Sequence, residues 1–279
     1  MVTPPFSFIS PYSWNTAINQ VSYTFLSYSY IGAVLLALAF GVFLFIKAKR
    51  LSSFYLFILC MFFAIFGLFD FITWIPIPFS TMFFWSTEEI FSIGFFVLSY
   101  WFLYSFVKDH DLPLWQKVLT SATLVPTLVI TALSMNISIY YIPTGIALDN
   151  PNINLYYSFL ELFFILLIVV FTIIQYRKAI DTVNKKKVAL AGAGVSAFLF
   201  VFFFAYVIMN LVIATNLWGL ASTSYVYNLS PYAIFGMPIL LAFLGYLIAK
   251  YQAFDVRLIK SIAYMVILMV LLFVGLFFA

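Results

Sequence analysis

The thirteen Lys and Arg residues of this chain fall in alternate gaps between long apolar runs, and the remaining gaps hold none. They come as Lys47, Lys49 and Arg50, then Lys108 and Lys117, then Arg177, Lys178, Lys185, Lys186 and Lys187, then Lys250, Arg257 and Lys260. Cationic loops resist translocation, so a bias this complete predicts a multi-pass membrane protein with these gaps on the cytoplasmic side and the N-terminus outside. It also predicts that no cation lies within an apolar run.

Composition agrees, because 66% hydrophobic and only 8% charged residues exceed what a soluble domain can bury. The net charge of +4 then reports topology rather than affinity for nucleic acid. Residues 1–24 contain no Lys or Arg, unlike the start of a cleavable signal peptide, and are expected to persist as an external segment. The single cysteine, Cys60, sits in an apolar run, where it is expected to pack; no intrachain disulfide or Cys-based redox pair is possible.

A membrane helix needs about 20 residues at about 1.5 Å rise to cross about 30 Å of hydrocarbon. The runs that meet or approach this length are 25–46, 51–74, 82–107, 118–136, 155–176, 188–215, 232–248 and 262–279. They are continuous rather than alternating, which predicts helices and not a barrel. The expected fold is an all-α polytopic bundle. It has a seven-helix body over 25–250, a cytoplasmic juxtamembrane segment over 251–261 and an eighth apolar helix over 262–279 that looks cut short.

Trp14, Trp74, Trp85, Trp218, Tyr140 and Tyr141 lie close to predicted outer helix ends, where amphipathic rings anchor at headgroup level. The outer connections 137–154 and 216–231 are long, rich in Asn, Ser, Tyr and Pro, and suited to covering the bundle mouth. Pro126 and Pro238 should bend the fourth and seventh helices. Gly192 and Ser196, four apart in the sixth, make a small-residue face for close helix contact.

Ionisable residues at bilayer depth point most directly to function, since each is costly there unless it faces protein or water. Glu88 and Glu89 lie about two turns into the third run, Glu161 at similar depth in the fifth, Asp70 near the outer end of the second and Asn210 in the outer third of the sixth. Together with Trp85 they suggest an outward-opening acidic and aromatic pocket for a small cationic or hydrogen-bonding ligand, or a protonation switch. The same residues equally fit acids that satisfy one another or reach the headgroups. The sole histidine, His110, lies in a short inner loop with no second His or Cys to complete a metal site. No phosphate-cradling glycine loop occurs, and no catalytic residue, metal ligand or cofactor is expected.

The exit from the seventh run, over 245–260, carries Tyr246, Ile248, Lys250, Tyr251, Phe254, Asp255, Val256 and Arg257. It resembles the end of the seven-helix N-terminal sensor region of membrane histidine kinases, where an aliphatic helix runs into a basic-aromatic stretch and an Asp-aliphatic step. The third-run exit, from Trp101 through Lys108-Asp109-His110-Asp111-Leu112-Pro113-Leu114-Trp115, is similar to that family too. So are Leu124-Val125-Pro126 and the basic run Lys185 to Lys187 opening a glycine-containing helix. The resemblance covers about residues 25–260. It implies a two-component receptor in a prokaryotic plasma membrane, with Lys250, Tyr251, Phe254, Asp255 and Arg257 as the signal-output segment. The implied partners are the lipid bilayer, an unknown small ligand and a cytoplasmic kinase domain in a full-length form, and a homodimer is an open assembly.

The chain departs from that family in having no phosphoacceptor helix and no ATP-binding domain after the seventh run, so no kinase activity is expected of it as written. The competing expectation is a small-molecule transporter, because Pro126 and Pro238 sit three helices apart, the spacing of an inverted repeat. A retinal photoreceptor is excluded, since Lys250 lies at the cytoplasmic end of the seventh run rather than within it.

Overall fold

The computed structural model describes residues 17–47, 50–73, 80–141, 146–204, 233–234 and 236–251. Expectations for Trp14, Trp74, Asn210, Trp218, Phe254, Asp255 and Arg257, for the connection 216–231 and for the eighth run lie outside these residues. So do those for the side chains of Tyr140, Tyr141, Lys250 and Tyr251. The described elements are helices α1 (Ala17–Lys47), α2 (Leu51–Thr73), α3 (Ser80–Lys108), α4 (Leu114–Ala122) and α5 (Leu124–Ala132), strands β1 (Ile137–Tyr141) and β2 (Ile146–Asp149), and helices α6 (Pro151–Lys178), α7 (Thr182–Phe203) and α8 (Gly236–Tyr251).

Leu51–Thr73, Met82–Lys108, Pro151–Lys178 and Thr182–Phe203 are each long and apolar enough to cross a bilayer. The polarity of the packed bundle is that of a membrane protein. On α6 the outward positions are Leu155, Phe159, Leu162, Leu166, Val170 and Ile173, while Glu161 is buried. On α4 and α5 the outward positions are Val118, Leu119, Val125, Leu128 and Val129, and the buried ones are Thr120, Thr127 and Thr131. Water would penalise such an arrangement; lipid favours it, because polar side chains turn inward and the aliphatic surface loses nothing outside.

Helix α3 is the hub. It packs against α2 on one side and against α5 and α6 on another. The α2–α3–α7 core is aromatic, with Phe95 meeting Phe63, Phe66, Phe198 and Phe202 at ring separations of 6.4, 5.6, 5.6 and 4.9 Å. Gly41 lets α1 approach the fully buried Cys60, which packs as expected. Gly192, on the expected small-residue face of α7, lies against Thr172 of α6, whereas Gly194, on the other side of the helix, lies against Phe243 of α8.

Several boundaries correct the sequence reading. Helix α1 starts at Ala17, eight residues before the expected start of the first run. Helix α6 begins at Pro151, with Asn150 as N-cap accepting from the Asn152 N–H at 3.1 Å. Helix α7 begins at Thr182 under an Asp181 cap, so Lys185, Lys186 and Lys187 lie inside a helix rather than before it. The fourth run is two short helices starting at Leu114, not one spanning 118–136. The break at Thr123 follows from Pro126, whose ring excludes the carbonyl of Ala122 and whose nitrogen cannot donate to it.

The bundle is helical as expected, but the connection after α5 is not irregular. Strands β1 and β2 pair antiparallel, with Ile139 opposite Leu148, Tyr140 opposite Ala147, Tyr141 opposite Ile146, and an irregularity between Ile137 and Ile139. The β-branched and aromatic run Ile-Ser-Ile-Tyr-Tyr suits a pleated surface, and the Asn150 N–H extends the pairing to the Asn136 carbonyl at 2.8 Å.

Candidate functional site

The acids expected to matter do share one end of the bundle, but α3 splits them into two groups. Successive helical residues point about 100° apart, so adjacent Glu88 and Glu89 meet different nearest neighbours. Glu88 turns to the α2 side, where it feels the charge of Asp70 most strongly among its neighbours. Glu89 turns to α6, where its strongest charged neighbour is Glu161. Asp149 at the end of β2 acts on both, and Asp70 reaches Glu89 more weakly than Glu161 does.

On the α2 side, the Tyr30 hydroxyl of α1 donates to Asp70 Oδ2 at 2.6 Å in a buried bond. Glu88 Oε2, by contrast, is buried without a hydrogen-bond partner. On the α6 side, the Ser92 hydroxyl reaches Glu161 Oε1 only at 3.5 Å, a long and weak contact. Tyr157, one turn before Glu161, is 3% exposed, and Thr131 of α5 is 6% exposed. Their hydroxyls approach each other without reaching hydrogen-bonding geometry, so both oxygens remain unsatisfied.

The hairpin is fastened over this end. Trp85 donates its indole N–H to Asp149 Oδ1 at 2.7 Å, and Asn154 donates to Asp149 Oδ2 at 3.2 Å. Ser86 donates to Asn136 Oδ1 at 2.9 Å, and Asn136 Nδ2 returns a bond to the Ser86 carbonyl at 3.2 Å. Trp85 therefore fixes the hairpin to α3, a role that leaves its N–H committed.

The opposite end carries the cations. Lys187 lies over the Phe106 ring at 4.7 Å and interacts with the charges of Asp109 and Arg50, which gathers three of the basic gaps into one region. There Asp111 is the centre of a clamp. It pairs with Lys117, accepts the Tyr55 hydroxyl at 2.6 Å and accepts the Leu112 N–H at 2.8 Å. Partial burial pushes the Asp111 carboxyl up, but these bonds together outweigh it and hold the group below its usual range. Lys117 also sits 5.5 Å from the Tyr55 ring and 5.8 Å from Trp101, whose N–H donates to Thr120 Oγ1 at 2.9 Å. Asp109 takes the left-handed conformation that ends α3, with φ 56°. His110 packs edge-on against Tyr104 at 5.6 Å and joins no metal-binding group among the described residues.

The sequence reading found Asp70, Glu88, Glu89 and Glu161, and passed over Asp149, Tyr157 and the threonines. The threonines were legible: Thr120, Thr127 and Thr131 recur at helical spacing and mark the inward face of an otherwise aliphatic segment. Tyr157 was legible too, four residues before Glu161 on the same face of α6, whereas Asp149 had no such signal, because its place depends on a hairpin that folds back over α3. No family model matches the chain, and neither a curated protein nor a solved structure matches it.

Proposed function

We propose that this integral membrane protein is the input module of a sensor, in which an event among the acids at one end is carried along α3 to the clamp at the other. The observation that supports this most is the position of α3. One uninterrupted helix contributes Glu88 and Glu89 to the acidic groups and Trp101 to the clamp, about 18 Å further along. A rigid element shared by two sites is the simplest physical means of coupling them. Under this reading the acidic end faces outward, and the clamp and the end of α8 face the cytoplasm. The resemblance to histidine-kinase input regions then places the kinase in a longer form of the chain or on a partner.

The test attaches a fluorophore through Trp115→Cys, an exposed position beside the clamp, in a Cys60→Ala background. Glu161→Gln and Glu89→Gln at the far end should change the emission or anisotropy of that label in lipid nanodiscs. Labels indifferent to every acidic-end substitution, in a protein that accumulates solutes in proteoliposomes, would replace the sensor reading with a permease.

A further inference from the structure

The cationic ends of α6 and α7 take no part in the clamp. Helix α6 closes on Tyr176, Arg177 and Lys178, all exposed, and α7 opens with an exposed Lys186 between half-buried Lys185 and Lys187. Only 179–181 join the two helices, which therefore run antiparallel, and Gly192 against Thr172 fixes their register. With equal rise along both, Lys178 is level with Lys186, and Arg177 with Lys187. The side chains follow this register: Lys185 Nζ lies 5.9 Å from the Tyr176 ring of α6, whereas Lys187 turns away to Phe106 of α3. Arg177, Lys178, Lys185 and Lys186 thus form one cationic surface on the α6–α7 pair. Among the described residues no carboxylate pairs with these four. Asp181, the acid between them in the chain, caps α7 by accepting the Val183 N–H at 3.2 Å. Sorting cations to one side of a membrane requires only that they lie in a loop, not that they stand level on two packed helices.

The surface beside these charges suits acyl chains. Leu166, Val170, Ile173 and Arg177 recur at helical spacing, so one exposed stripe of α6 is aliphatic along its length and ends in a guanidinium. Exposed Ile174 precedes Lys178 by one turn in the same way. The rise from Ile173 to Arg177 is about 6 Å, the thickness of the headgroup layer on one side of a bilayer. We propose that Arg177, Lys178, Lys185 and Lys186 form a docking surface for the headgroup of an anionic phospholipid, whose acyl chains lie along the α6 stripe. The planar fork of Arg177 suits two phosphate oxygens, and the three lysines add point charges around them. A headgroup with net negative charge is favoured over a zwitterionic one, whose own ammonium would enter a field of four cations. Soluble phosphate lacks the chains and with them half of the fit. The inference is independent of whether α3 transmits anything.

The experiment titrates the purified full chain, in a neutral detergent at one ionic strength, with phosphatidylglycerol or with phosphatidylcholine of the same acyl chains, and reads bound lipid by native mass spectrometry. Phosphatidylglycerol should bind saturably and at lower concentration than phosphatidylcholine. Removing cations in pairs, as Arg177→Gln with Lys178→Gln or Lys185→Gln with Lys186→Gln, should weaken phosphatidylglycerol binding about thirtyfold each, from about fivefold per cation, and leave phosphatidylcholine binding unchanged. Lys185→Arg with Lys186→Arg keeps the charge and should bind as the parent does, a readout that stands should a glutamine variant fail to fold. Lys108→Gln removes a cation from the end of α3 and should have less than a twofold effect. Glycerol phosphate, the soluble headgroup, should not displace the lipid at equal concentration. Equal affinity for the two lipids, glutamine pairs that bind as the parent, or a loss on Lys108→Gln as large as that of a pair would overturn the docking surface. Displacement by glycerol phosphate at equal concentration would replace it with a site for free phosphate. The label at Trp115→Cys reports separately on the sensor reading.

Discussion

Replacing Gly192 by Ala tests whether α6 and α7 are held by close packing. A Cβ built on Gly192 overlaps Thr172 Oγ1 and Cγ2 and comes within 2.8 Å of its Cβ. Thr172 is not free to turn away, because its hydroxyl donates to the Ile168 carbonyl at 2.7 Å. The substitution must then either spread the helices, at about 1–3 kcal/mol for overpacking, or rotate Thr172 and lose a bond of about 1 kcal/mol. Lipid tails are as apolar as the side chains, so no hydrophobic gain offsets the lost contact. A destabilisation of about 2–3 kcal/mol is expected from equilibrium unfolding in mixed micelles. Adding Thr172→Ala removes the two closest atoms and leaves only the Cβ contact at 2.8 Å, so it should recover at least about 1 kcal/mol of that loss and make the pair non-additive. Ala193→Val, on the exposed side of the same turn, should change stability by no more than about 0.5 kcal/mol. Additivity of Gly192→Ala and Thr172→Ala within about 0.5 kcal/mol would refute the packing argument.

Three other outcomes are expected. Because the bonds around Asp111 keep its folded carboxyl below the unfolded value of about 3.9, its ionised form favours the folded loop at all higher pH, and that contribution is lost as acid titrates it. The difference in thermal midpoint between the parent chain and Asp111→Asn should therefore shrink as pH falls below about 3.9; a difference that persists unchanged at pH of about 2.5 would contradict this. Pro126→Ala returns the missing donor opposite Ala122 and should join α4 to α5, seen as increased amide-exchange protection around Thr123; unaltered exchange would assign the break to another cause. Trp85→Phe deletes the donor to Asp149 and should cost about 1 kcal/mol, concentrated in faster amide exchange of β1 and β2; exchange that rises evenly through the bundle would show that the hairpin is not docked by that bond.

The sequence by itself determined that this is a helical membrane protein, and it placed α2, α3, α6 and α8 to within about four residues. Apolar run length and the sorting of cations are one-dimensional signals, because lipid acts on each segment separately. Asp70, Glu88, Glu89 and Glu161 were visible for the same reason: a carboxyl in an apolar run stands out without any knowledge of its neighbours. What the sequence did not determine is who faces whom. Glu88 and Glu89 look like one feature, yet the charge each feels most strongly differs, Asp70 of α2 for one and Glu161 of α6 for the other, since helical geometry turns neighbours about 100° apart. Trp85 read as a belt or pocket residue until the hairpin brought Asp149 to its indole N–H. The clamp at Asp111 joins Tyr55, Trp101 and Lys117, which come from α2, α3 and α4. Such contacts depend on the crossing of helices far apart in the chain, a property of the packed bundle that no single segment encodes.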